Sequence, residues 1–519
     1  MDSTRWRAAL ASLRDRRALL PLTALVAAAA CGRPMPIQND WVLHEVTTHY
    51  RDFYPDRGDP DLAHDAGLLR PRFGYPAIAR TSGTFPIELL ERGGPLAPRA
   101  ALVRPELSAT AAQLCLRGEA VAGCLPLTLT MTERAPMHDG AQVVSFLAAP
   151  QEAQAPPGGY DLLLTSAQDA PTRVPKAVWL RADDPATLTR LRVAHLSDLH
   201  VGKGGRHTGL FLAHVAEVIA AVNKQAPDLV VVTGDLVHKG QEPHVQPVAQ
   251  RLLRELQAPV LVVMGNHDIE WKALGPPVRR YGLGWTHFAQ AFHPFLHFSL
   301  SLGGYEFVGF DSGPGERTAR ILTRGLSAQS IAMLRADLLR ADQAGRRGVV
   351  LFSHAPSRAS LFTSVRPASI GMFGRMRNGA QEFESLLMDA AARGQRVLHL
   401  AGHTHWSDVF EVHAGVRGSY FARWPTEQLS PCPRALDSEV AIINTQAASH
   451  SGVSTKANAR GYGYSMITLG EPRPEIEFFR FGTRRAADCP PPVLRRDDLA
   501  LPQSVASAPR PQPIVPSQL

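Results

Sequence analysis

The sequence predicts an α/β fold for its larger part, with an all-β, sandwich-like domain in front of it. Two changes of texture carry this. From about Trp41 to Ala182, short apolar or alternating runs are broken by Pro and Gly, and few windows hold a helical period. From Leu191 onward, apolar runs end in polar signatures and alternate with helical stretches, the pattern of strand–helix–strand units.

In the first part the runs are Phe85-Pro-Ile-Glu-Leu-Leu, Leu125-Pro-Leu-Thr-Leu-Thr-Met, Gln142-Val-Val-Ser-Phe-Leu and Tyr160-Asp-Leu-Leu-Leu-Thr-Ser. Turn signals such as Pro156-Pro-Gly-Gly separate them. No catalytic cluster shows here. Asp59, Asp61, His64 and Asp65 read as a solvated acidic loop. In the second part strands are expected at 191–197, 229–233, 260–264, 349–353 and 397–401, and another at 305–310. Helices are expected at 210–223, 244–256, 327–342 and 380–393.

The ends read differently. Five Arg within residues 1–30 precede an apolar run, 18–30, shorter than the ~20 residues a spanning helix needs. Ala28-Ala29-Ala30 then offers the small residues of a cleavage site, and Cys31-Gly32 resembles a bacterial lipoprotein processing site. Arg16-Arg17-Ala18-Leu19-Leu20 also resembles a twin-arginine export signal. The expectation is an exported chain, periplasmic, envelope-anchored through Cys31, or secreted. The four other cysteines would then pair, most simply as Cys115–Cys124, closing a turn between β-rich segments, and Cys432–Cys489. The Pro-rich stretch after Arg484 is expected to trail without packed structure.

The net charge of +8 comes from 55 basic and 47 acidic residues, with 49 Arg and 6 Lys. Residues 1–30 hold three units of that excess and residues 484–519 two, leaving +3 for the long middle. A nucleic-acid binder would gather its basic residues within a folded domain, so no specific nucleic acid is expected. The composition also excludes a wholly disordered chain and a multi-span membrane protein.

Each of the five principal runs stops at residues of types that can ligate metals. They are Asp198-Leu199-His200, Gly234-Asp235, Gly265-Asn266-His267-Asp268, His354, and Gly402-His403-Thr404-His405. In an open α/β sheet the functional crevice lies beyond the carboxyl ends of the strands, so one edge would collect them. In extended backbone, alternate side chains share a face, so Asp198/His200 and His403/His405 would each point to one site. Glycines before Asp235, Asn266 and His403 permit close backbone approach.

This ordered set, D-x-H, G-D, G-N-H-D, S-H and G-H-x-H, resembles the calcineurin-like metallophosphoesterase family, over roughly Leu191 to Gly482. The resemblance implies a four-layer α/β/β/α sandwich and a hydrolase of phosphomono- or diesters, using a metal-bound water at a two-metal centre. By position, Asp198, His200, Asp235 and His405 would hold one ion, and Asp235, Asn266, His354 and His403 the other. His267 would donate a proton or hydrogen bond to the phosphate or leaving oxygen, with Asp268 holding its tautomer. Such mixed ligands suit Mn, Fe, Zn or Co.

The purple acid phosphatase branch has a Tyr ligand where this chain has His238, so a purple ferric site is not expected. For His238 itself, a contact at the site and a solvated loop position are both open. His195 has the opposite strand parity from Asp198 and is expected to face away, and His287, His293 and His297 read as core or pocket wall. The insertion 362–378, with Arg366, Arg375 and Arg377, is either a lid or a surface loop.

The expected organisation is thus a signal peptide over 1–30, a β-sandwich-like domain over 31–188, a metallophosphoesterase domain over 189–483 and a tail over 484–519. The partner is a phosphate-ester substrate, with membrane contact only through an N-terminal lipid anchor. Oligomeric state is not legible. The alternatives are a surface binding protein with a vestigial metal site, and a metal-dependent nuclease.

Overall fold

The computed structural model describes residues 67–481 except 92–97, 118, 137–141, 152–154, 166–170, 204–207, 270–283, 285–286, 313–324, 360–374, 377–378, 414–418, 425–431, 450–461 and 471. The expected signal peptide, Cys31, the Asp59–Asp65 loop, Arg366, Arg377, Cys489 and the tail lie outside the described residues.

The first part contains β1 (Leu68–Arg70), β2 (Ala77–Arg80), β3 (Phe85–Glu91), β4 (Arg99–Val103), α1 (Ala109–Leu116), β5 (Cys124–Pro136), β6 (Gln142–Pro150), β7 (Gly158–Thr165) and β8 (Thr172–Arg181). The strands run in the order β1-β3-β6-β5-β4-β7-β8-β2. The long β5 joins two halves of this sheet, because Cys124–Pro126 pair with β4 while residues from Leu127 onward pair with β6. Side chains from all eight strands meet in one apolar core, among them Leu68, Ala77, Ile87, Leu102, Leu127, Phe146, Leu162 and Val178. That is the sandwich-like arrangement the alternating runs predict.

The sequence reading missed α1. Its signal is short: Ser108 caps it by accepting the Ala111 N–H at 3.2 Å, and an Ala-rich turn follows. Cys115 therefore sits in a helix, opposite Cys124 at the start of β5 with Cα atoms 6.0 Å apart, a spacing that a disulfide spans. Such a bridge ties helix to strand instead of closing a turn between two strands.

The second part contains β9 (Leu191–Leu196), α2 (Thr208–Lys224), β10 (Leu229–Thr233), α3 (Val245–Leu253), β11 (Val260–Val263), α4 (Asn266–Ile269), β12 (His297–Leu302), β13 (Tyr305–Phe310), α5 (Ala328–Gln343) and β14 (Gly348–Phe352). It continues with α6 (Ala380–Ala392), β15 (Val397–Ala401), β16 (Asp408–His413), β17 (Tyr420–Arg423), β18 (Arg434–Ala435), β19 (Val440–Asn444), β20 (Tyr462–Leu469) and β21 (Glu475–Phe481). Two sheets form, ordered β11-β10-β9-β20-β21-β18 and β12-β13-β14-β15-β19-β16-β17. The five ligand-bearing runs thus divide between two sheets, three in the first and two in the second, instead of lining the edge of one.

Strand alternation builds the layers. Val193, Val231, Leu261 and Val263 face inward onto Phe307, Val350, Phe352, Leu398 and Ile443 of the other sheet. Ala194, Val230, Val232 and Val262 face outward beneath Val215, Val218 and Val222 of α2 and Val245, Ala249 and Leu253 of α3. On the far side, Val308, Val349, Leu351 and Val397 lie beneath Leu334 and Leu338 of α5 and Phe383 and Leu387 of α6. The result is an α/β/β/α sandwich. Burial on both faces explains why these strands read as continuous apolar runs.

The β-rich part packs onto the outer edge of this sandwich. The Gly74 carbonyl accepts the Val262 N–H of β11 at 2.9 Å, and fully buried Arg72 donates to the carbonyls of Ala289 (2.6 Å) and Gln290 (3.1 Å). Among the described residues, no helix is long and apolar enough to cross a membrane.

Candidate metal centre

The loops after β9, β10, β11, β14 and β15 converge and are knitted together by their own backbone. Asp198 N–H donates to the Gly234 carbonyl (3.0 Å), His200 N–H to that of Asp235 (2.9 Å), and Gly402 N–H to that of His354 (3.0 Å). Carboxylates serve the same purpose: Asp198 Oδ2 accepts the His403 N–H and Asp235 Oδ1 the His267 N–H, both at 2.8 Å.

The backbone there is not extended. Asp198, His200, Asp235, His403 and His405 all have positive φ, between 47° and 65°. Strand alternation therefore does not account for how the members of each i, i+2 pair reach the site. Such a conformation costs about 1–3 kcal/mol per non-glycine residue and persists only where the surroundings hold it. The glycines do what close approach requires. A Cβ on Gly265 would lie 2.2 Å from Asp235 Oδ1, and one on Gly402 would lie 1.7 Å from Ser197 Oγ.

Two of the three clusters that result share Asp235. In one, Asp198, His200, Asp235 and His405 bring ligand atoms within 4.8 Å of one another; in the other, Asp235, His354 and His403 do so. His405 Nε2 is 3.0 Å from Asp198 Oδ1 and 3.0 Å from His200 Nε2, and His200 Nε2 is 3.8 Å from Asp235 Oδ2. His354 Nε2 is 3.3 Å from Asp235 Oδ1, 3.0 Å from Asn266 Oδ1 and 3.1 Å from His403 Nδ1. Ligands about 2.1 Å from one ion are separated by roughly 3.0 Å at right angles and 3.4 Å in a tetrahedron. Five of the six quoted spacings match those edges, and the 3.8 Å between His200 and Asp235 exceeds both.

The proton positions also suit a cation. A carbonyl can only accept, so His354 Nδ1 donates to the Thr233 carbonyl at 2.7 Å. Its Nε2 then faces Asp235 Oδ1 and Asn266 Oδ1, oxygens that could share a cation with it. Burial opposes ionisation of Asp235, yet His354 and His267 hold its carboxyl well below the ordinary range. Asp198 is likewise held low against its burial, chiefly by His405. Burial, aided by His267 and Lys203, pushes His200 well below its usual value. Ionised carboxylates and neutral imidazoles are the forms that bind metal.

His267 stands beside both clusters. Its Nδ1 donates to the His238 carbonyl at 2.9 Å, leaving Nε2 facing the site 3.9 Å from Asp235 Oδ2. This corrects the role expected for Asp268. That carboxylate turns away from the imidazole and accepts the N–H groups of Gly265 (2.7 Å) and Val237 (3.1 Å), so it shapes the loop instead. Burial, with Asp235 nearby, pushes its carboxyl up to about 7.

His238 lies against the site, its ring stacked on His267, and burial pushes it down to about 4. Sequence reasoning missed Lys203. It follows His200 by three residues, and its half-buried ammonium lies in the field of Asp198 and Asp235. Its signal was its place in the same loop. Three other histidines are structural: His195 is buried against Thr233 Oγ1 (3.0 Å), His293 against the Val262 carbonyl (2.8 Å) and His297 against Asp337 (2.5 Å).

A probable cyclic nucleotide phosphodiesterase of Rhodopseudomonas palustris is 38% identical over 103 residues, 19% of this chain and 37% of that protein. The glycerophosphodiester phosphodiesterase GpdQ of Enterobacter lignolyticus is 37% identical over 81 residues, 15% of this chain and 29% of that one. The chain thus spans about a third of the length of these curated relatives. Among solved structures, the purple acid phosphatase PPD1 from yellow lupin seeds aligns with a TM-score of 0.45 at 12% identity, covering 78% of this chain and 70% of that one. A family profile described as calcineurin-like phosphoesterase matches residues 191–407.

Proposed function

We propose that the chain hydrolyses phosphate esters at a two-ion centre, with Asp198, His200, Asp235 and His405 holding one ion and Asp235, Asn266, His354 and His403 the other. The observation that supports this most is that two donor clusters share the single carboxylate of Asp235. Ions bound there would supply an activated water and offset the charge that builds as the ester breaks. The donor set of carboxylate, amide and imidazole suits Mn, Fe, Zn or Co. Only two carboxylates, Asp198 and Asp235, stand among the seven donors, so two divalent ions leave the pocket net positive, as an anionic ester requires. His267 Nε2 serves as the donor to the departing oxygen, and Lys203 adds a cation at the edge. Both curated relatives are named as phosphodiesterases, which favours a diester substrate.

The test is a chelator-stripped protein reloaded with each metal and assayed on p-nitrophenyl phosphate and bis(p-nitrophenyl) phosphate. Two ions per chain are expected, with the diester preferred by at least about tenfold in kcat/KM. Two bound ions without hydrolysis of either ester would overturn the reading in favour of a binding protein; monoester preference would overturn the diester assignment.

We further propose export to the envelope. The Arg-rich start, the apolar run and Ala-Ala-Ala-Cys at 28–31 support it. If Cys31 carries a lipid, Cys31→Ser will move the protein from the membrane fraction to the soluble one; an unchanged distribution would exclude the anchor.

A further inference from the structure

The loop after β10 sets a second imidazole against His267. The His238 N–H donates to the Val201 carbonyl at 2.8 Å, and the His238 carbonyl receives the His267 Nδ1–H at 2.9 Å. Its ring lies face to face with His267, centroids 5.0 Å apart and planes 20° from parallel. His200 and His267 meet edge to face, with centroids 4.7 Å apart and planes at 89°. Nitrogens of His200, His238 and His267 come within 4.8 Å of one another. Stacked rings carry their in-plane lone pairs side by side instead of converging on a point, so the trio is a poor cage for an ion.

The stack has a different use. The second side-chain torsion of histidine is broad, so a hydrogen bond at Nδ1 fixes the distance of the ring better than its tilt. A flat neighbour on one face removes the tilt. We infer that His238 is a positioning residue for proton donation: its ring clamps His267 so that Nε2 aims at the leaving oxygen. The inference rests on the phosphoesterase reading above.

Leaving groups separate the possibilities. A p-nitrophenolate departs without a proton, whereas an alkoxide needs one, so a misaimed donor penalises alkyl esters selectively. In the metal-loaded enzyme, His238→Ala should keep two ions and change KM by no more than about twofold. Its kcat should fall about tenfold further on an alkyl diester such as a glycerophosphodiester than on bis(p-nitrophenyl) phosphate. His238→Phe restores a flat ring and should recover most of that loss. Equal losses on both esters, loss of metal, or a Phe variant as impaired as the Ala variant would overturn the clamp. His267→Ala is the reference. If it shows no dependence on the leaving group, the proton-donor reading fails and the clamp falls with it. If it shows that dependence while His238→Ala does not, the clamp alone fails.

Discussion

Asp235→Asn is expected to empty both halves of the centre and to lower kcat/KM by at least about a thousandfold, since on the proposed reading ions held there would supply both the nucleophile and the charge compensation. Asp235 is the carboxylate common to the two clusters, with Oδ1 3.3 Å from His354 and Oδ2 3.8 Å from His200. It is also one of only two anions among seven donors, so the amide halves the negative charge that offsets two dications. Asn matches Asp in size and can still accept the His267 N–H that Asp235 Oδ1 now receives at 2.8 Å, so the loop should survive. The measurement is metal content by elemental analysis after gel filtration, beside a thermal unfolding curve. A folded variant that still carries two ions would refute the bridging assignment.

His267→Ala separates chemistry from metal binding. The imidazole is tethered through Nδ1 to a main-chain carbonyl, and its Nε2 stands 3.9 Å from the nearest oxygen of Asp235, outside both donor clusters. The variant should therefore retain two ions while kcat on an alkyl ester falls about 100- to 10,000-fold, the range of a lost general acid. KM should move much less, because the removed interaction develops mainly as the bond breaks. Loss of either ion from this variant would mean that His267 is a ligand, and the division of roles would be wrong.

Much of the fold was legible because burial on both faces writes strands as continuous apolar runs. The runs at 229–233 and 397–401 coincide with β10 and β15, and the helices expected at 327–342 and 380–393 lie within one residue of α5 and α6. The helix expected at 244–256 ends at Leu253, beyond which apolar Leu256 and Ala258 continue inward without helical structure. Helix α1 was not legible because eight residues with two buried side chains leave almost no periodic signal.

The site was legible as a list and not as a mechanism of assembly. Residue types and order singled out Asp198, His200, Asp235, Asn266, His354, His403 and His405, because few side chains offer oxygen or imidazole donors at strand ends. The reason given for their convergence was wrong in detail: alternation along extended strands does not account for it, since five of them are left-handed. Asp268 shows the same limit. Adjacency in sequence suggested a partner for His267, but within a tight turn its carboxylate found nearer N–H groups in Gly265 and Val237.

Residue type and the short-range period of burial were thus enough to read the candidate donors and the α/β texture. Only the tertiary structure decided that five strands divide between two sheets, that the His238 carbonyl rather than Asp268 holds His267, and that His238 and Lys203 join the site. Those facts depend on backbone direction at loop residues and on contacts between separate loops. Local pattern carries no record of either, because left-handed strain at a ligand is held in place by neighbours far away in the chain.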